Sequence, residues 1–304
     1  MNAAAVSGGG HGRRALLTGA AGFTGQYMAK ALVEAGYQVY GTELPGDDGG
    51  APRPVNLLDR DAVAALVQLV QPEIVVHLAA IAFVAHTDAE LVYRVNVVGT
   101  RNLLEAVAGL AQRPAAVLLA SSANVYGNAA VDPIDETVAP APANDYAVSK
   151  LAMEYMARLW ADRLPIIIAR PFNYTGVGQD ALFLLPKIVS HFRRGDTHIE
   201  LGNINVARDF SDVRQVVASY MGLLAAAPAG QTFNVCSGIG HTLGDVLDQM
   251  AGIAGYRIEV RVNPAFVRVN DVARLVGDDS KLRRLIGPAT PLPLVDTLRW
   301  MYHA

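Results

Sequence analysis

A phenol and an ammonium group stand four residues apart in the stretch YAVSK, which runs from Tyr146 to Lys150. Side chains at this spacing share one face of a helix, and a cation beside a phenol lowers the pKa of that phenol. We therefore predict that Lys150 lowers the pKa of Tyr146, so that the phenol exchanges a proton near neutral pH. The pattern alone is common, and a half-exposed tyrosine and lysine on a helix is the alternative interpretation.

A serine at the end of a predicted strand supports a catalytic role for this tyrosine and lysine. Ser122 lies 24 residues before Tyr146 (146 − 122), in SSANVYG, directly after the apolar run AAVLLA. A hydroxyl at a strand end and a phenol on the next helix can both donate to one carbonyl oxygen. Ser122, Tyr146 and Lys150 are thus the predicted catalytic residues, and a strand that simply turns into a loop is the alternative.

The segment TGAAGFTG predicts a phosphate-binding turn, with Gly19, Gly22 and Gly25 between the first strand and the first helix. Glycine permits a tight turn and lets a pyrophosphate approach the unpaired N–H groups of a helix N-terminus. Phe23 and Thr24 complete the predicted contact. The alternative is that the glycines merely allow close packing of helix on strand. The position between a strand and a helix favours nucleotide binding.

Further residues are expected around the nucleoside. Glu43 follows the second strand, 24 residues after Gly19 (43 − 19), where an acid bonds the ribose hydroxyls of NAD and repels the extra phosphate of NADP. This favours NADH, although Arg53 could pair with that phosphate, and a solvated loop glutamate is the alternative. Asn56 and Leu57, expected after a third strand, are predicted to flank the adenine.

Short apolar strands alternate with helical patterns as far as about residue 172, which predicts a parallel sheet covered on both faces. We expect an α/β fold: a Rossmann-type doubly wound parallel sheet with a smaller C-terminal α/β substrate-binding lobe. The predicted division is a disordered leader at 1–13, a dinucleotide-binding domain at 14–172 and, at 173–304, mainly the substrate lobe, with some segments returning to the first domain.

Composition excludes several classes of protein. The 304 residues carry a formal net charge of −3, which argues against nucleic-acid binding. Cys236 is the only cysteine, so neither an intramolecular disulfide nor a multi-cysteine metal site can form, and we predict no metal. The most apolar stretch is short and holds charged residues, so we expect no membrane span. One cysteine fits a reducing compartment, and a cytoplasmic location is expected.

The order of these motifs resembles the extended short-chain dehydrogenase/reductase family, in its nucleotide-sugar-modifying branch. Counterparts of family segments cover nearly the whole chain: HLAA from His77, NVVGTRNLLEA from Asn96, SSANVYG, ARPFNYTGVGQ, ARDFSDV and FNVCSG. The resemblance implies that Ser122 orients a substrate carbonyl, that Tyr146 transfers the proton and that Lys150 also bonds the nicotinamide ribose. It implies cofactor contacts at Leu78, Ala79, Ala80 and Asn96, and a structural or sugar-lining role for Tyr126.

Two uncharged residues narrow the reaction that this resemblance implies. Sugar 4,6-dehydratases of the family carry a glutamate just before the VYG turn, often preceded by an aspartate. Here those positions are Asn124 and Ala123, which cannot act as a base near neutral pH. A ketone reductase or a 4-epimerase is left, unless Asp88 or Glu90 supplies the acid from elsewhere.

The C-terminal motifs resemble those of enzymes that act on GDP-mannose derivatives. LGNINVARDF is similar to a segment of that group, and FNYTGVGQ and NVCSGIG resemble the GDP-4-keto-6-deoxy-D-mannose reductases. The implied reaction is reduction of the 4-ketone by NADH or NADPH to give GDP-D-rhamnose. The sequence departs from the usual reductase motif at two positions, with Tyr174 in place of histidine and Val177 in place of proline. These differences affect how the substrate is positioned, not the class of reaction.

Cationic side chains are candidates for holding the GDP phosphates, because arginine forms bidentate phosphate contacts and lysine acts as a point charge. Arg208, Lys187 and Arg268 are predicted for this role, with Arg193 or Arg194 as substitutes and ordinary surface charge as the alternative. Asn173 is predicted to position the substrate or the cofactor.

Three alternatives stay open. A sister reductase would give GDP-6-deoxy-D-talose from the same ketone, and a 4-epimerase would work with tightly held NAD. A non-enzymatic NAD-sensing module would not need Tyr146 and Lys150.

Broad apolar faces on the helices NVVGTRNLLEAVAGL and SKLAMEYMARLWADRL predict a homodimer through four helices, unless both faces are buried within one chain.

Overall fold

A computed structural model describes residues 12–42, 55–82, 88–204, 206–264, 272–288 and 290–304. Strands and helices alternate in its first half: β1 Arg13–Thr18, α1 Phe23–Glu34, β2 Tyr37–Thr42, α2 Arg60–Val70, β3 Ile74–His77, α3 Ala89–Tyr93, α4 Thr100–Ala108, β4 Ala116–Ala120, α5 Asp145–Arg158 and β5 Ile166–Pro171. The expected alternation is confirmed in this part of the chain. The predicted leader lies outside the described residues, except for its last two positions.

The second half contains shorter elements, as its glycine and proline content predicts. They are β6 Asn173–Thr175, α6 Leu184–Arg194, β7 His198–Leu201, β8 Ala207–Asp212, α7 Val213–Ala226, β9 Thr232–Val235, β10 Gly240–Thr242, α8 Leu243–Ala254, β11 Glu259–Val262, β12 Arg274–Leu275, α9 Ser280–Ile286 and α10 Leu294–His303. None of the helices in the described ranges is both long and apolar enough to cross a membrane.

A six-stranded parallel sheet has the strand order β2-β1-β3-β4-β5-β9. β2 lies on one side of β1, at the edge of the sheet, and the later strands add on the other side of β1, which confirms the doubly wound prediction. The strand order reverses between β1 and β3, both of which pair in parallel with their neighbours. In such sheets ligands bind beyond the carboxyl ends of the strands at this point.

The chain forms two compact units. The first comprises the described parts of 1–120, 152–168 and 220–231, and the second those of 121–151, 169–219 and 232–304. Neither unit is contiguous, and the segment 121–151, predicted within a domain 14–172, belongs to the second unit. The assignment of 173–304 mainly to substrate binding stays a prediction.

Each unit has its own apolar core. In the first unit, leucines and valines of β1, β3 and β4 pack with the apolar faces of α2 and α4. In the second unit, α6, α8 and α10 pack together, because their apolar residues recur at helical spacing. A smaller cluster in the same unit surrounds the VYG turn and contains Val125, Tyr126 and Phe172.

One helix differs from its prediction. The run that begins at Asn96 is not a single α-helix, because residues Arg94–Gly99 form a π-helical turn before α4. The Asn96 side chain bonds both backbone groups of Ile81, and the Thr100 hydroxyl donates to the Asn96 carbonyl oxygen at 2.7 Å. These side-chain bonds accompany the wider turn, and such turns are frequent at functional sites.

Candidate active site

The turn between β1 and α1 requires glycine at two positions. Gly19 has φ +73°, and a Cβ there would lie 2.8 Å from the backbone nitrogen of Ala79, beyond the end of β3. A Cβ at Gly25 would lie 2.0 Å from the carbonyl oxygen of Gly19. The glycines therefore permit close packing, which was the alternative interpretation, and the same packing creates the tight turn that nucleotide binding needs.

The N-terminus of α1 suits an anion. Gly22 is the N-cap residue, no described side chain caps the helix, and its first turn holds no acidic residue. The positive end of the helix dipole favours a phosphate at such an end. The first two helical residues, Phe23 and Thr24, are half-buried beside it. The first unit thus fits the pyrophosphate of a dinucleotide.

A buried chain of hydrogen bonds fixes the segment after β3. The Thr100 hydroxyl donates to Asn96 and so accepts from His77 Nε2 at 2.8 Å. His77 Nδ1 forms a hydrogen bond with the Thr18 hydroxyl, 2.6 Å away, and Thr18 accepts from the N–H of Ala79 at 3.3 Å. The chain holds the predicted cofactor contacts Leu78, Ala79 and Ala80, all half-buried, at the end of the strand.

Two of the predicted cofactor contacts, Asn96 and Leu57, have buried side chains. The Asn96 side chain is buried and bonded to the backbone of Ile81, so it holds that segment in place, and a direct contact with the cofactor stays a prediction. Leu57 packs in the core of the first unit, and its carbonyl oxygen accepts from the Asn102 side chain at 2.9 Å. Its side chain is therefore not available to flank an adenine.

The remaining nucleoside predictions have mixed outcomes. Asn56 is exposed, with its Oδ1 accepting from the N–H of Leu58, so an adenine contact there stays a prediction. Asn56 and Leu57 lie in a turn before α2 and precede β3, whereas we expected them after a third strand. Glu43 and Arg53 lie outside the described residues, as does Arg268.

Ser122 begins a short 3₁₀ turn directly beyond β4. Its extended backbone caps the turn Ala123–Tyr126, and its Oγ accepts from the backbone N–H of Asn124 at 3.1 Å. The Asn124 side-chain amide donates to the same oxygen, also at 3.1 Å. The sequence indicated that Asn124 cannot be a base, but not that its side chain bonds the serine; only the bond between a serine hydroxyl and the backbone two residues on is a common local pattern.

Tyr146 lies in the first turn of α5 and is brought together with Ser122. Asn144 precedes that helix, and its Oδ1 accepts from the N–H of Ala147 at 2.9 Å. Burial raises the pKa of Tyr146 to about 12, a hydrogen bond from Ser122 lowers it, and the nearby Tyr174 phenol raises it. The prediction of a lowered pKa is wrong for the protein without ligands, since desolvation outweighs the stabilisation of the phenolate. Tyr146 is therefore a protonated phenol at neutral pH.

Lys150 lies one turn further along α5 and is also buried, with 5% of its surface exposed. The helix therefore presents both predicted side chains on its buried side, and a half-exposed pair on a solvated helix is wrong. A bond between Lys150 and a nicotinamide ribose stays a prediction.

Tyr126 is a structural residue. It is fully buried, its hydroxyl donates to Asn234 Oδ1 at 2.7 Å, and it accepts from Arg170 Nη1 at 2.9 Å. The predicted sugar contact is therefore corrected in favour of the structural alternative. Sequence reasoning missed Arg170 and Asn234 as its partners. Each partner is a polar residue within a largely apolar motif, Arg170 in ARPFNY and Asn234 in FNVCSG, and this could have indicated a buried hydrogen bond.

The predicted substrate residues lie in the second unit. Asn173 is exposed at the start of β6, where it is in register with Phe210 of β8. Arg208 lies in β8 and donates to the carbonyl oxygen of Ala207 at 2.9 Å. Lys187 lies in α6, and its Nζ donates to the carbonyl oxygen of Glu200 at 2.9 Å. Phosphate binding by Arg208 and Lys187 stays a prediction.

The model of the NAD dependent epimerase/dehydratase family matches residues 15–236. GDP-6-deoxy-D-talose 4-dehydrogenase of Aggregatibacter actinomycetemcomitans is 33% identical over 273 residues, which cover 90% of this chain and 90% of the relative. GDP-6-deoxy-D-mannose reductase of Pseudomonas aeruginosa is 32% identical over 298 residues, which cover 94% of this chain and 95% of the relative.

Solved structures agree with these matches. A proposed epimerase from Burkholderia cenocepacia J2315 has a TM-score of 0.91 and 56% identity, and the match covers 96% of this chain and 98% of that chain. RMD from Pseudomonas aeruginosa, complexed with NADPH, has a TM-score of 0.84 and 30% identity, with 96% and 98% covered. The matched residues 15–236 include the glycine turn before α1 as well as Ser122 and Tyr146.

Proposed function

Because the chain belongs to the NAD dependent epimerase/dehydratase family, and is thus an NAD(P)-dependent oxidoreductase acting on nucleotide sugars, we propose that it reduces GDP-4-keto-6-deoxy-D-mannose to GDP-D-rhamnose. Both relatives near one-third identity carry names for chemistry on GDP-linked 6-deoxyhexoses. The family and the general class of reaction are shown by the comparisons, whereas the exact substrate and product are our proposal.

One observation supports reduction above the other reactions of the family. Ser122 bonds a Tyr146 phenol that is protonated at neutral pH, while the two positions after Ser122 hold Ala123 and Asn124. This arrangement can polarise a ketone and protonate its oxygen. It offers no carboxylate in the turn to remove a proton from carbon, as a dehydration would need.

The residues act on the oxygen of the 4-ketone. When bound, the reduced nicotinamide supplies a hydride for the carbonyl carbon. Ser122 and Tyr146 donate to the carbonyl oxygen and stabilise the negative charge that develops there. Tyr146 then gives its proton to this oxygen, because an alkoxide is a stronger base than even a phenolate of pKa about 12. The buried ammonium of Lys150 stabilises the phenolate that remains.

The cofactor is NAD(P), and the choice between its two forms belongs to the proposal. Glu43 favours NADH, through its charge and its spacing from Gly19, whereas RMD was solved with NADPH. We expect NADH to be preferred and NADPH to be used. Arg208, Lys187 and Arg268 are proposed to bind the GDP phosphates.

Two other reactions have specific support. The talose-named relative favours delivery of hydride to the opposite face of the same ketone, which would give GDP-6-deoxy-D-talose. The Burkholderia structure, at 56% identity and named as an epimerase, favours epimerisation, and the form we consider is a 4-epimerase. An epimerase would return the hydride to its substrate and would turn over without added reductant.

We also include a homodimer in the proposal. Val148, Tyr155 and Leu159 follow one another at about helical spacing along and just beyond α5, with 37%, 56% and 81% of their surfaces exposed. A second copy would cover this stripe. The cytoplasmic location expected from the cysteine content stays a prediction.

An assay with defined substrate tests the activity. GDP-4-keto-6-deoxy-D-mannose is made with a separate dehydratase, the protein is added with NADH or with NADPH, and the nicotinamide absorbance and the NMR spectrum of the sugar are followed. Stoichiometric oxidation with a rhamno product supports the proposal. A talo product selects the sister reductase, and conversion without reductant selects the epimerase.

A further inference from the structure

The Ser122 hydroxyl has a fully defined set of hydrogen bonds. A serine hydroxyl has two acceptor lone pairs and one proton. The backbone N–H and the side-chain amide of Asn124 each donate to Ser122 Oγ, both at 3.1 Å, and so occupy the two lone pairs. The remaining proton is directed to the phenol of Tyr146, whose pKa this bond lowers.

The direction of this proton matters for a ketone. A hydroxyl that donates stabilises the charge that develops on the oxygen, whereas one that turns a lone pair towards it repels that charge. Ordinary serine hydroxyls rotate to suit their surroundings. Here the backbone bond alone leaves one lone pair unused, and the Asn124 amide removes that freedom.

We propose that Asn124 is a positioning residue whose side-chain amide fixes Ser122 as a hydrogen-bond donor to the substrate carbonyl. This inference rests on the proposed ketone chemistry. It assigns to the residue before VYG a role in reduction that an acid there could not perform. A carboxylate has no N–H, and at the same place it would accept the proton of Ser122 and turn the hydroxyl away from Tyr146.

The isosteric change Asn124→Asp tests the direction of the bond. We expect kcat for ketone reduction to fall about 100-fold, the order seen when one oxyanion donor is lost, while KM changes little. A protonated carboxyl group can donate again, so the deficit should shrink as the pH falls from about 6 towards about 4, the ordinary pKa of an aspartate. A residue with a merely structural role would give a pH-independent deficit.

Two further variants accompany the test. Asn124→Ala removes the donor without adding an acceptor, and should lower kcat less than Asn124→Asp does. Asn128→Asp makes the same chemical change on the exposed part of the same loop, where Oδ1 accepts from the N–H of Ala273 at 3.1 Å. A carboxylate keeps that bond, so this control should retain the wild-type kcat.

A crystal structure of the Asn124→Asp protein gives a readout that needs no substrate. We expect the distance from the introduced carboxylate oxygen to Ser122 Oγ to shorten to about 2.6 Å, as in other O–H···O⁻ bonds. A carboxylate that turns away from Ser122, or a variant with wild-type kcat across the pH range, would overturn the proposal. A wild-type protein that does not oxidise NADH or NADPH would contradict the proposed function instead, and the crystal structure would still decide the role of Asn124.

Discussion

At the scale of residues, Ser122 forms a hydrogen bond with Tyr146, and burial keeps the proton on the phenol. The spacing YxxxK and the strand-end serine indicated which residues meet. The direction of the pKa shift was not predictable, because the sequence does not report that Tyr146 is buried deeply enough for desolvation to dominate. The burial of Tyr126, Asn96 and Leu57 was not predictable for the same reason, since a motif does not show which side of the chain faces a ligand.

Removal of the Tyr146 hydroxyl group should remove the proton donor of the reaction. We expect Tyr146→Phe to lower kcat about 1,000-fold, because proton donation to the alkoxide is lost, and to leave cofactor binding nearly unchanged. Stopped-flow reduction and cofactor titration measure the two effects. Tyr37→Phe is a matched control, as the ring that Arg13 contacts at 5.2 Å is kept. Near-normal turnover by Tyr146→Phe would remove it from the mechanism.

The raised pKa of Tyr146 sets the pH dependence. A phenol with a pKa of about 12 in the folded protein keeps its proton until the pH rises towards that value, above the ordinary 10.0. We expect single-turnover ketone reduction to show no loss from ionisation of Tyr146 between about pH 7 and pH 10. An alkaline decline below about pH 9 that disappears in Tyr146→Phe would contradict the shift.

At the scale of elements, the strand–turn–helix order was predictable because glycines, apolar runs and helical periodicity are local signals. Helix ends were not. The predicted helix DYAVSKLAMEYMARLWADRL ends at Arg158, where turns take over, such as the one closed by the N–H of Leu159 bonding the carbonyl oxygen of Met156 at 3.1 Å. The π turn before α4 is accompanied by a bond between the Asn96 side chain and Ile81, 15 residues away, which helical periodicity does not reveal.

The close contact of Gly25 gives a prediction at this scale. Gly25→Ala should weaken dinucleotide binding at least about tenfold and lower Tm, because a Cβ 2.0 Å from the Gly19 carbonyl oxygen forces the turn open. Gly252→Ala, in α8 with open space around it, should instead stabilise by about 0.5–1 kcal/mol. Calorimetry and thermal melts compare the two. If the two variants had the same dinucleotide affinity and the same Tm, the glycine turn would not have the role in dinucleotide binding that we assign to it.

At the scale of the whole molecule, a parallel sheet followed from the alternation of strands and helices, and its doubly wound form is confirmed. The division into units was not predictable in detail, because the chain passes more than once between them. A single boundary in the sequence cannot describe two units that are each made of three separate segments. The exposed stripe on α5 was visible as an apolar face, while the exposure of Leu159 required the structure.

The stripe on α5 carries a prediction about assembly. Leu159→Lys places a charge on the most exposed residue of the stripe and should convert a dimer into a monomer, because the charge would be buried by the second copy. Sedimentation measures the change, and Leu182→Lys, at another exposed leucine, is the control. A wild-type protein that sediments as a monomer would contradict the homodimer.

Transfer of hydride to the sugar ketone is the central claim, and isotope transfer tests it most directly. The protein is incubated with GDP-4-keto-6-deoxy-D-mannose and with NADH or NADPH that carries deuterium at the transferable position of the nicotinamide. The account predicts one deuterium at C4 of the product sugar for each cofactor oxidised. A product without deuterium at C4, or conversion of the sugar with no cofactor oxidised, would contradict it.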